Sequence, residues 1–217
     1  MAINLNKITL EKQGDSHKID LTKRGDSVSK EVIINLNWTQ KKKGFWASLT
    51  QSPIDLDLGC WYELRDGNKS CIDGLQFSKG RGGAKNQVTR QGCYTQKPWI
   101  WHSGDDRSGA ASEGENMLVN IQGASDLKRM TIYCFIYEGA AQWTDTNAVV
   151  TIKVPDNPDV VVEMGKQFSV KKFCAIAEIL FDTDNSMTVK KLLTFHEGHD
   201  DCDTVYGWGM QWRAGGK

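Results

Sequence analysis

Apolar and polar residues alternate along most of the chain, and this period of two is typical of β-strands with one buried face. The clearest run spans residues 54–64, where every second side chain from Ile54 to Leu64 is apolar. Further runs of this kind lie at 31–38, 117–121, 129–138, 148–154, 160–164, 174–181 and 187–195. In the tail, Trp208, Met210 and Trp212 also share one face. The pattern predicts about a dozen strands.

Short turn sequences separate these runs, and no segment has a helical period over three turns. Asp66-Gly67 is typical of a tight hairpin, because Asp-Gly accepts the positive φ that such turns need. Turns are also predicted at 155–158 and 182–185, and short helical connectors near 142–147 and 200–205. We therefore expect an all-β protein, with residues 1–217 forming a single-domain β-sandwich of two mainly antiparallel sheets with short helical connectors.

Composition narrows the classes of function. Lys+Arg and Asp+Glu both number 27, so the net charge is zero. This balance argues against a nucleic-acid-binding protein, which usually has an excess of basic residues. No apolar run approaches the roughly 18 residues of a membrane helix, and the first residues lack the apolar core of a signal peptide. We expect a cytoplasmic protein that binds no nucleic acid and does not insert directly into a membrane.

The six cysteines do not form a recognisable metal or catalytic motif. None is part of a CxxC pair, and Cys60, Cys134 and Cys174 lie in apolar runs. Such cysteines usually behave as small hydrophobic residues. No histidine stands beside a nucleophile motif, so we predict that the protein is not an enzyme.

Two aspartates interrupt the clearest strand. Asp55 and Asp57 are two residues apart, so both carboxylates leave the same face, with Cβ atoms about 7 Å apart. Like charges this close repel one another unless something neutralises them, and a bound cation does so. The alternative is an ordinary solvated outer face of the sheet.

A second acidic stretch, residues 102–116, combines three glycines with carboxylate and amide side chains. Its candidate ligands are Asp105, Asp106, Glu113, Glu115 and Asn116. Oxygen ligands in irregular geometry suit Ca²⁺. The alternative is a flexible acidic surface loop. We interpret the basic stretch 78–92 as a mobile loop, and the pair His196 and His199 as part of a polar loop.

Several segments together resemble the TerD-domain tellurium-resistance family, and most closely its TerA branch. They are DLDLGCWYELRDG (55–67), HSGDDRSG (102–109), GEN (114–116), FIYEG (135–139) with Trp143 after it, and HDDCDTVYGWGMQWRAGGK (199–217). They follow the family order and span about three quarters of the chain. The resemblance implies a cytoplasmic β-sandwich protein of a bacterial stress response, associated with resistance to tellurite, phage and colicins.

The resemblance also implies calcium binding through the DxD strand and the acidic loop. Transferred to this chain, the ligands are Asp55, Asp57, Asp105, Asp106 and Glu115, with Glu113 and Asn116 as further candidates. The segment GAASEGEN has fewer carboxylates than the GEGEGDDE run of calcium-binding members, and Arg107 adds a positive charge. Calcium affinity falls as ligand charge is lost, so we expect this chain to bind calcium weakly or not at all.

Three functional hypotheses follow. The first is a calcium-binding scaffold that binds other proteins of the tellurite-resistance system and reaches the inner membrane face only through them. The second is a metal-free module that binds a protein or a small ligand through exposed aromatic residues around Trp99 and Trp101. The third, ranked last, is an enzyme that acts on tellurite or another oxyanion through cysteines.

Overall fold

The chain forms two stacked β-sheets. The computed structural model describes residues 7–22, 31–39, 54–104, 114–139 and 143–213. The strands in these residues are Ile8–Thr9 (β1), Ser16–Asp20 (β2), Glu31–Asn37 (β3), Asp55–Leu64 (β4), Lys69–Asp73 (β5), Gly92–Cys93 (β6), Ile100–His102 (β7), Glu115–Asn120 (β8), Leu127–Glu138 (β9), Val149–Lys153 (β10), Val160–Glu163 (β11), Phe173–Phe181 (β12) and Ser186–His196 (β13). The helices are α1 (Gly74–Phe77), α2 (His199–Tyr206) and two 3-10 turns at Ile121–Gly123 and Trp143–Asp145. The predicted all-β class with short helical connectors is confirmed.

The two sheets are almost entirely antiparallel. The larger has the order β1-β11-β10-β3-β8-β7-β6, and the smaller has the order β2-β13-β12-β9-β4-β5. Among the described strands only β1 and β11 pair in parallel. Hairpins join β4 to β5, β10 to β11 and β12 to β13, at the three predicted turns. Gly67 has φ 89° in the first of them, a conformation that glycine adopts without strain.

The main core lies between the sheets and follows from the alternation in each strand. In β4, Leu56, Leu58 and Cys60 point into this core and are fully buried. Cys134 and Cys174 lie in the same cluster. The prediction that these cysteines act as small hydrophobic core residues is confirmed.

A second core covers the outer face of the smaller sheet. It contains Trp61 of β4, Tyr133 of β9, Phe173 of β12 and Trp208 of the C-terminal segment. The ring of Trp61 lies 5.0 Å from that of Tyr133 and 5.8 Å from that of Trp208. Helix α2 and the residues after it therefore complete the fold by covering β4, β9 and β12.

The C-terminal segment packs as predicted but without forming a strand. Trp208, Met210 and Trp212 all contact the second core. Asp203 accepts hydrogen bonds from the amides of Gly209 and Met210 at 2.7 and 2.9 Å, and from Trp212 Nε1 at 2.7 Å. The carboxylate thus takes the place that a neighbouring strand would have in bonding these amides. No helix in the described ranges has the length and apolar character needed to cross a membrane.

Candidate metal centre

The two aspartates of β4 are buried. Asp55 is 5% exposed and Asp57 is 1% exposed. Strand alternation places Asp57 on the outer face with Gly59 and Trp61, and Asp57 pairs directly with Phe135 of β9. The alternative that these aspartates lie on a solvated face is therefore wrong. Charged carboxylates are rarely buried unless they are paired or coordinate a metal.

Glu115 reaches β4 from the opposite sheet. It is the first residue of β8, lies on the same face as the buried Met117 and is 1% exposed. Its Oε2 accepts a hydrogen bond from the amide of Leu58 at 2.8 Å. The last residue pair between β4 and β5 is Gly59 with Asp73. Leu58 lies one residue beyond it, so the Glu115 carboxylate replaces the missing strand partner.

His102 contacts the carbonyl oxygen of Leu58, the other backbone group that has no partner from β5. Its Nε2 lies 3.1 Å from the carbonyl oxygen of Leu58, and the amide of Gly104 donates to its Nδ1 at 3.1 Å. Because a carbonyl oxygen only accepts and an amide only donates, the ring is the neutral tautomer with the proton on Nε2. Nε2 also lies 3.6 Å from Glu115 Oε2. We call this arrangement of Leu58, Glu115 and His102 the Leu58 clamp.

The charges of Asp55, Asp57 and Glu115 all affect the thiol of Cys134. Burial raises the pKa of the Cys134 thiol well above its usual value, as does the nearby Cys174, and the charges of all three carboxylates raise it further. Three of the predicted ligands, two from β4 and one from β8, thus lie in the neighbourhood of Cys134.

The other predicted ligands differ in their placement. Asn116 follows Glu115 on β8 and points to the opposite face, where its Oδ1 accepts a hydrogen bond from Asn35 Nδ2 at 2.9 Å. Asp105, Asp106 and Glu113 lie outside the described residues. Within the described part of the chain, no group of three or more His, Cys, Asp or Glu side chains could hold a metal ion.

Sequence reasoning missed a buried polar cluster around Asp73. This residue is fully buried and accepts hydrogen bonds from Tyr133 Oη at 2.7 Å, His199 Nε2 at 3.1 Å and the Gln76 amide at 3.0 Å. Burial acts to raise the pKa of Asp73, but the hydrogen bond and charge of His199, with the other two bonds, outweigh it and lower the pKa. Asp73-x-x-Gln76 matches a helix-capping pattern, a signal that was available in the sequence.

The cysteines of the apolar runs are buried, unreactive core residues, as predicted, whereas two tryptophans are less exposed than predicted. Burial raises the pKa of Cys60, Cys174 and Cys202, and the thiolate is the nucleophilic form. Trp99 and Trp101 are half-buried, whereas they were predicted to be exposed. The indole of Trp99 donates to Asp126 and that of Trp101 to the Gly83 carbonyl, so both rings are fixed within the protein.

Comparisons with known proteins agree with this fold. Over 99% of its length the chain is 31% identical to the tellurium resistance protein TerA of Alcaligenes sp.. A crystal structure of a homologue of the telluride resistance protein TerD from Streptomyces coelicolor A3(2) superposes with a TM-score of 0.55 over 80% of this chain and 94% of that one, at 14% identity. The chain is therefore similar in sequence to a tellurium resistance protein and similar in fold to a homologue of TerD.

Other comparisons define the extent of this relationship. The chain spans 60% of the length of the TerA protein it matches. The fold is also similar to that in the crystal structure of SAV2460, a protein of unknown function, with a TM-score of 0.57 over 84% of this chain and 98% of that one, at 12% identity. No family model matches the chain.

Proposed function

We propose that this protein is a non-enzymatic component of a tellurite-resistance system, which binds Ca²⁺ and uses the resulting rigid surface to bind other proteins of that system. The likeness to a tellurium resistance protein supports the system. Within this proposal the protein is cytoplasmic and reaches the inner membrane face only through its partners. Burial of five of the six cysteines supports the absence of a thiol-based reaction.

The observation that carries the calcium proposal is the burial of Asp55 and Asp57 on one face of β4, with Glu115 approaching from β8. These carboxylates are hard oxygen donors, which is the chemistry that Ca²⁺ requires. The ion takes six to eight oxygens, so it needs further ligands. We assign these to Asp105, Asp106 and Glu113 of the acidic stretch, and not to Asn116, which points to the opposite face of β8.

Because the proposed ligands come from two separate stretches of the chain, calcium binding is expected to stabilise the folded protein. An ion that binds only the folded state stabilises it by about 2.7 kcal/mol when its concentration is 100 times the dissociation constant. For a chain of this size, that corresponds to a rise of about 5–11 °C in the melting temperature. We expect Ca²⁺ to produce such a rise relative to chelator, and Mg²⁺ to produce less because it prefers a strict octahedral shell.

The matched variants are Asp57→Asn and Asp159→Asn. The first removes one charge from the proposed site, and the second removes one from a partly exposed turn before β11. Calorimetric titration is expected to give weaker calcium binding for Asp57→Asn and unchanged binding for Asp159→Asn. Superimposable melting curves in chelator and in Ca²⁺ for the wild-type protein would contradict the calcium proposal.

A second candidate function is a metal-free module that binds a protein or a small ligand. The observation in its favour is the Leu58 clamp, in which the Glu115 carboxylate has a structural role that needs no metal. This candidate predicts that the double variant Asp55→Asn with Asp57→Asn captures partner proteins of the system as well as the wild-type protein does. The calcium proposal predicts that capture is lost in the double variant and in chelator.

A further inference from the structure

A basic groove lies on the outer face of the smaller sheet, on the side away from the larger sheet. Its volume is about 860 Å³, within the usual range for small-molecule sites. One wall is formed by β5, α1 and the basic stretch 78–92. The other wall is formed by the start of α2 and by residues 208–213. Neither wall includes the aspartates of β4.

The groove concentrates positive charge in a chain whose net charge is zero. Lys69, Arg81, Arg90 and Arg213 line it, against the single exposed carboxylate of Asp200. Among the ion pairs of the described residues none includes any of these four cations, although Lys and Arg side chains elsewhere do pair. A concave surface with cations of one sign attracts anions more strongly than scattered charges do.

Two of these cations are held in place by neutral groups. Arg81 Nη2 donates to the Leu75 carbonyl at 2.6 Å and its Nε donates to the Ser78 carbonyl at 3.0 Å. Lys69 Nζ donates to the Trp208 carbonyl at 3.2 Å. Carbonyl oxygens position a cation without cancelling its charge, so both side chains are pre-organised and still available for an anion.

The acid beneath the groove does not form an ion pair with these cations. Asp73 is fully buried, and its two oxygens are already bonded to Tyr133, His199 and the Gln76 amide. His199 thereby has a fixed ring that also lines the groove. Beside it starts α2, with Gly198 as its N-cap residue and Asp200 and Asp201 in its first turn.

An aromatic surface adjoins the cations. The Trp212 ring lies 4.9 Å from that of His199, and its Nε1 donates to Asp203, so its orientation is fixed. Trp212 is half-buried and lines the groove together with Trp208. A fixed indole next to free guanidinium groups provides a stacking surface for a flat ring and donors for its phosphate.

We propose that this groove binds a phosphate-bearing small molecule with a planar ring, in chemical terms a nucleotide. The phosphate contacts Arg81, Arg90 and Arg213, and the ring stacks on Trp212. The groove is separate from the candidate metal centre, so this inference does not depend on calcium binding.

The test is calorimetric titration of the wild-type chain with AMP, ribose 5-phosphate and inorganic phosphate, at low salt and in chelator so that bound Ca²⁺ makes no contribution. We expect AMP to bind saturably and more tightly than the other two compounds, and to quench tryptophan fluorescence. The variant Arg90→Gln with Arg213→Gln is expected to bind AMP at least about tenfold more weakly. Neither of these exposed side chains has a structural bond in the described residues, so the fold is expected to be retained.

The matched control is Lys12→Gln with Lys153→Gln, which removes the same net charge from exposed sites outside the groove and is expected to leave AMP binding unchanged. Three results overturn the proposal. They are no binding of AMP at millimolar concentration, equal affinity for AMP and inorganic phosphate, and equal affinity in the arginine double variant and the control.

Discussion

Replacing Glu115 separates its structural role in the Leu58 clamp from its proposed role as a cation ligand. In the variant Glu115→Ala the amide of Leu58 loses its acceptor, and Leu58 is fully buried, so water does not replace it. A buried donor left without a partner costs about 1–3 kcal/mol. For a protein of 150–250 residues each kcal/mol lowers the melting temperature by about 2–4 °C, so a loss of about 2–12 °C is expected. Glu115→Gln keeps an amide oxygen as acceptor and is expected to lose less.

The measurement is urea and thermal unfolding in chelator, followed by tryptophan fluorescence, so that calcium makes no contribution to either variant. The control is Glu197→Ala, since the Glu197 side chain is 75% exposed and a change there is expected to stay within about 0.5 kcal/mol. If Glu115→Ala melts like the wild-type protein in chelator, the clamp does not contribute to stability. If Glu115→Ala and Glu115→Gln lose the same amount, the carboxylate charge matters and the hydrogen bond does not.

Three further predictions concern the second core and the thiols. Because the pKa of Asp73 is lowered in the folded protein, its carboxylate stabilises the fold at pH values above its unfolded pKa of about 3.9 and ceases to do so as the pH falls further. The free energy of unfolding, measured from pH 7 to 3, is expected to fall more steeply in the wild-type protein than in Asp73→Asn. Gly59→Ala places a Cβ atom 2.3 Å from the Tyr133 ring and 2.9 Å from Asp73 Cβ, so a loss of about 1–3 kcal/mol is expected in urea unfolding, and wild-type stability would contradict the packing of that ring. Thiol titration with a disulfide reagent is expected to modify at most Cys71 in the folded protein, because the other five cysteines are buried; rapid reaction of three or more thiols would refute this.

The features that could be predicted from the sequence are those carried by neighbouring residues. Alternation in 54–64 predicted β4 to within one residue, and Asp66-Gly67 predicted the hairpin after it. The face shared by Asp55 and Asp57 also follows from a period of two. Their burial did not follow, because it depends on what covers the outer face of the sheet. That covering comes from distant segments, and alternation within β4 contains no information about it.

The same reasoning explains why the Leu58 clamp was not found, although all three of its residues lie in segments that carried predictions. Glu115 was interpreted as one acidic residue of a loop, whereas it is the first residue of β8 and bonds to a strand of the other sheet. Glu115 can bond to a backbone amide of β4 because the pairing of β5 with β4 ends at Gly59. It ends there because Asp73 caps α1 and turns the chain into that helix. One capping aspartate thus exposes the edge of β4 that Glu115 and His102 then occupy. A cation site beside this edge has a protein-built framework before any ion binds, and this is why we expect calcium to add stability to a folded protein and not to be required for folding.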